Sequence, residues 1–80
     1  MSFNFNTLDA STQEKFEILK KQIGDEVYKD LIESIVEFQW LNQNMNILVK
    51  EEKIKRLIEG SLIGDLMDIF DLNGIRVSVL

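Results

Sequence analysis

Residues 25–59 read DEVYKDLIESIVEFQWLNQNMNILVKEEKIKRLIE, and the fold turns on whether this stretch is one helix or several elements. Tyr28, Leu31, Ile35, Phe38, Met45 and Val49 recur at alternating spacings of three and four, the period of one helical face. Ile32 and Val36 widen that stripe on one side, Leu41 and Leu48 on the other, and Glu33, Glu37, Gln39 and Gln43 fall on the wet faces. Asp25 supplies a cap and Glu26 an acid in the first turn, where the helix dipole favours negative charge. The stripe lapses at Asn42, inside the run Asn42-Gln43-Asn44-Met45-Asn46. Asn amides compete for nearby backbone groups, so the run marks a break, a kink or a polar seam. Beyond it, Ile47, Ile54, Leu57 and Ile58 restore an apolar face, and Glu51–Lys55 and Glu52–Arg56 stand in the favourable i,i+4 order. With no Pro or Gly between 25 and 59, the pattern favours one continuous helix.

The flanks extend this helical reading. Ser11 followed by Glu14 has the form of a capping box, and Phe16, Leu19 and Ile23 continue at helical spacing to Gly24, which predicts a helix over 11–23. Ahead of it, 1–10 form an arm or strand in which Phe3 and Phe5 alternate with polar residues. Gly60-Ser61 ends the long segment, and Leu62, Ile63, Leu66, Ile69 and Phe70 describe a helix over 62–72 that Asn73-Gly74 closes. The tail 75–80 alternates, with Ile75, Val77 and Val79 to one side and Arg76 and Ser78 to the other. Such a strand needs a partner: the Phe3–Thr7 segment, the same tail of another subunit, or a different protein. The expected fold is therefore a single domain over 1–80, mainly α. It is a compact set of three to four helices, with a short β pairing of the two ends as an addition.

Composition narrows the function. With no Cys and no His, the chain has no disulfide framework, no thiolate zinc site and no imidazole for acid–base work. The Ser and Thr residues sit at caps and ends, so no nucleophile–base pair assembles and an enzyme is not expected. Asp71-Leu72-Asn73-Gly74 has the look of a calcium-loop centre, but Ile69 and Leu80 fall where carboxylate ligands are required. Asp65, Asp68 and Asp71 read as a solvated helix face. No metal and no cofactor are expected. A net charge of -5 opposes phosphate backbones. Lys50, Lys53, Lys55 and Arg56 are interleaved with Glu51, Glu52 and Glu59. The loose helix–turn–helix outline around Gly60 would present three Asp and no base-reading side chain. No apolar run approaches a membrane span and no leader is evident, which points to a cytoplasmic protein with no direct membrane insertion.

By elimination the expected role is non-catalytic: a small regulator that binds another protein and forms homo-oligomers to enlarge a thin core. The interaction candidates are Trp40, Asn42, Met45, Ile75, Val77 and Val79. Trp40 among amides is either an anchor for a partner or a plug between its own helix and 62–72. Asn42 is either a register-setting polar residue in a helix seam or a residue at a bend, and Met45 follows on the same stripe. In size, acidity and Asn/Ile-rich character the whole chain resembles the small accessory proteins of T-even-type bacteriophages, nearest to those that act in the cytoplasm in lysis inhibition. That resemblance implies a protein that restrains the phage holin through a protein–protein contact, and it assigns no residue a role. The alternatives are an inhibitor of a host enzyme or transcription factor and, third, a DNA-binding regulator.

Overall fold

The computed structural model describes residues 8–80, so the expected arm and its Phe3–Thr7 pairing lie outside the described residues. In order, the elements are α1 (Ala10–Ile23), α2 (Asp25–Ser34), β1 (Ile35–Leu41), β2 (Asn44–Val49), α3 (Glu52–Leu57), a π-helical turn (Ile58–Leu62), α4 (Ile63–Phe70) and β3 (Gly74–Val79). The sheet runs β1-β2-β3, with β2 antiparallel to β1 and parallel to β3. This is an α+β fold, and the mainly helical domain expected from the sequence is wrong. Among the described residues, no helix is long and apolar enough to cross a membrane.

The error lies in 25–59, which is not a rod. The helix stops at Ser34, and 35–49 form a β-hairpin. Ile35, Val36, Phe38 and Trp40 on one arm and Ile47 and Val49 on the other are β-branched or aromatic, the side chains that fit a pleated, half-buried surface. Asn42 and Gln43 make a two-residue loop, with Leu41 paired to Asn44 across it. Asn42 has φ 57, the positive value that both favoured hairpin turns demand at their first loop position. Asn42 is therefore neither a seam residue nor a helix bend. Asn42→Gly should keep or raise the melting temperature, and Asn42→Val should cost about 1–2 kcal/mol, because a β-branched side chain is strained at positive φ. A Val variant that melted like the wild type would contradict the turn geometry.

Helix ends also differ from expectation. Asp9, not Ser11, caps α1: its carboxylate accepts from the Thr12 amide at 2.8 Å. The Thr12 hydroxyl, and then that amide, hold the Asp9 carboxyl below its ordinary value. Because the bonded form is the charged one, this contribution is present above the ordinary carboxylate range and fades as pH falls through the lowered value. Asp9→Ala should therefore melt below wild type at neutral pH, with the gap narrowing as pH falls through the lowered value. A gap independent of pH in circular-dichroism melts would remove the titration from this account. Gly60-Ser61 separates nothing. Both residues lie inside the π-helical turn, through which the chain stays helical from α3 to α4, so the helix–turn–helix outline disappears. Asp71, not Asn73-Gly74, ends α4 in the left-handed conformation (φ 54), and the Leu72 amide donates back to the Met67 carbonyl at 3.0 Å. That bond is the long one of a Schellman stop, where Gly is the usual residue. Neither Glu51–Lys55 nor Glu52–Arg56 is an ion pair: Glu51 precedes α3, and the surface pairs among the described residues are Lys53–Glu51 and Lys55–Glu59.

The helices cover one face of the sheet. Phe16 and Leu19 of α1, Leu31 of α2 and Leu66 and Phe70 of α4 close over Met45, Ile47 and Val49 of the central strand. Phe70 is the hub of an aromatic cluster: Phe16 and Trp40 meet it edge-on at 5.4 and 5.0 Å between centroids, and Phe38 lies tilted at 6.3 Å. At the hairpin base, the buried Ser34 accepts the Lys50 amide through its carbonyl at 2.9 Å and its hydroxyl at 3.3 Å.

Candidate functional site

Strand alternation sends every second residue of the sheet away from the helices. In register across the three strands, that outer face is a grid: Leu41–Asn44–Gly74 at the hairpin end, Gln39–Asn46–Arg76 in the middle, and Glu37–Leu48–Ser78 at the far end. Nearly all of these residues are exposed, and only Leu48 and Gly74 are half-buried. Leu41 is 68% exposed, and Leu80, continuing the alternation past Ser78, is 80% exposed. The hairpin tip is held in place rather than left to sway. The Gln43 carbonyl accepts the Asn73 and Gly74 amides at 2.7 and 3.3 Å, and the Gln43 side-chain oxygen accepts from Asn73 Nδ2 at 2.7 Å. A depression of about 430 Å³ opens where Gly74 lacks a side chain, lined by Asn44, Asn46 and Arg76. A Cβ on Gly74 would come within 3.3 Å of Asn44 Oδ1.

Five of the six interaction candidates come together, but on the opposite, helix-covered face. Trp40, Met45 and Ile75 form one row of the sheet, with Val77 and Val79 along β3. Met45 and Val77 are buried, so neither offers surface, and Trp40, Ile75 and Val79 are half-buried against the core. Trp40 packs on Phe70 with Lys15 Nζ 5.9 Å from its ring, while that ammonium donates to the Ile69 carbonyl at 3.1 Å. The Trp40 indole Nε1 is buried without an acceptor among the described residues. Asn42 alone is at the surface, at the hairpin tip. The residues missed were Gln39, Asn44, Asn46 and Arg76. Their signal was the polar half of a period-two pattern, legible only once 35–49 is read as strands.

Two further depressions are open and mixed in charge. One, near 470 Å³, lies among Asp30, Ser34, Lys50 and Lys53; the other, near 450 Å³, lies beside Tyr28 and Ile32. There Lys20 Nζ stands 5.8 Å over the Tyr28 ring, and burial, then the Glu17 carboxylate, push the Tyr28 phenol above its ordinary value. No group of carboxylates among the described residues is placed to hold a metal ion. No family model matches the chain, and neither curated proteins nor solved structures give a match.

Proposed function

We propose that the protein is a non-catalytic interaction module that binds another protein on the outer face of its sheet. One observation carries the reading: Leu41 and Leu80 stand exposed, and Leu48 half-buried, among amides on a face that no described element covers. Leu41 marks one end, Leu48 and Leu80 the other, and the Gln39–Asn46–Arg76 row between them offers hydrogen-bond donors and acceptors. Apolar ends around a polar centre suit a protein surface, where apolar contact supplies affinity and the amides fix orientation. No aromatic residue stands on this grid to stack a base, so the face does not fit single-stranded nucleic acid. Restraint of a phage holin and inhibition of a host enzyme or transcription factor are both versions of this act, distinguished by the protein that is bound.

The test is capture from a host lysate followed by identification and re-binding of the purified partner. Asn46→Arg at the centre of the grid and Leu41→Asp at its end should abolish re-binding while leaving thermal melting unchanged. Ile18→Arg, on the exposed side of α1, should bind as wild type does. Re-binding that survives both sheet variants and is lost with Ile18→Arg would move the function to the helices.

A further inference from the structure

Both edges of the sheet lack a partner among the described residues, and β3 has the pattern of an edge that pairs with itself. The backbone bonds show which groups face outward. The Gly74 amide donates to Gln43 and the Leu80 amide to Val49, both toward β2. By alternation Arg76 and Ser78 also point their peptide groups inward, leaving the N–H and C=O of Ile75, Val77 and Val79 on the free edge. No proline, lysine or bulge guards that edge, and its register with β2 is unbroken.

We infer that two copies of the chain pair antiparallel along β3, about a two-fold axis at Val77, to form a continuous sheet. In that register Val77 faces Val77 of the second copy, and Ile75 faces Val79 in both directions. Every outward N–H and C=O of the strand is then satisfied, because all these pairs are of the hydrogen-bonded kind. Side chains agree with the backbone. Ile75, Val77 and Val79 lie on the helix-covered face and extend one apolar layer across the junction. On the outer face Arg76 stands opposite Ser78 of the second copy, and the exposed Leu80 falls over Gly74, at the depression beside Asn44 and Asn46. A slip by one residue inverts the faces. A slip that keeps the faces and centres on Arg76 sets Arg76 against Arg76, like charges directly opposite, and one that centres on Ser78 carries Ile75 past Val79, the last residue of β3. The occupant that fits this edge is therefore a second copy of the same chain. The pairing draws Leu80 and the depression beside Gly74 into the junction, but sedimentation of the chain alone reads it with no other protein present, so its failure is distinguishable from a failure of partner binding.

The register makes the test specific. Sedimentation of the full chain should show a concentration-dependent dimer. Ser78→Glu, which sets a carboxylate opposite Arg76 of the other copy, should tighten it about tenfold, and Ser78→Arg should loosen it by a similar factor. Arg76→Glu combined with Ser78→Arg should restore it. Ser78 is exposed, so these variants leave the fold intact, as melting would verify. Val79→Pro removes an outward N–H without touching the ladder to β2 and should give a monomer. A wild-type monomer at hundreds of micromolar overturns the inference. So does a dimer whose affinity is the same in Ser78→Glu and Ser78→Arg, since that would place the interface elsewhere.

Discussion

Phe70→Ala should leave most of the chain unfolded at 25 °C. Phe70 is 1% exposed, and its ring is met by Phe16, Phe38 and Trp40, so the substitution empties the point where α1, β1 and α4 converge. Truncating a buried Phe costs about 3–5 kcal/mol through lost burial and the cavity left behind. A core in a domain this small supplies roughly that much in total. Phe70→Leu keeps most of the volume and should remain folded with a lower melting temperature. Far- and near-ultraviolet circular dichroism of both variants checks this. A cooperative transition in Phe70→Ala within a few degrees of wild type would mean the cluster contributes little.

Removing residues 75–80 should have a comparable effect. The deletion strips β2 of its parallel neighbour and withdraws Val77 and Val79 from the apolar layer over Ile47 and Val49. The central strand would become an edge, and a two-stranded hairpin with no third strand is marginal in water. Loss of the cooperative melt, with binding of an apolar dye, is the expected result. A truncated chain that melts unchanged but no longer binds its partner would make the tail a docking peptide instead.

The helical character of 10–23 and the strand character of the tail were readable from residue order, the sheet topology was not, and the failure at 35–49 has a specific cause. The register of β1 with β2 shifts between Ile35 and Glu37, so Val36 is an extra residue in its strand. A bulge of this kind puts Ile35 and Phe38 on the same face three positions apart, the spacing of a helix. Met45 and Val49 are four apart, which satisfies a period of two and approximates one of 3.6. Leu31 to Ile35 adds another helical step across the actual junction. The period-two alternation of Phe38 and Trp40 with Gln39, and of Met45, Ile47 and Val49 with Asn46 and Leu48, was the competing signal. Asn42-Gln43 was its turn. The α1 segment and the tail were legible as a helix and a strand, because Gly24 and the β-branched residues there agree with the apolar spacing, although Asp9 rather than Ser11 caps α1 and the tail pairs with β2, a partner the residue order did not single out. The outer face could not be located before the register, since a residue's side of a sheet depends on every residue between it and the turn.

The π-helical turn bears on how the chain tolerates changes in length. Ile54, Ile58, Leu62, Leu66 and Phe70 are all buried and are spaced uniformly by four. In a regular α-helix each step of four overshoots a full turn by about 40°, so such a row would wind progressively off the sheet. The wider turn at Ile58–Leu62 advances less per residue and takes back part of that drift, keeping Phe70 in phase with Ile54. The helical crossover from β2 to β3 thus carries a built-in phase correction at Gly60 and Ser61, both exposed, with open space where a side chain on Gly60 would go. A one-residue deletion there relaxes the wide turn to an ordinary one and shifts the phase only modestly. An insertion or deletion between Leu62 and Phe70 has no such reserve and rotates the aromatic hub away from the sheet.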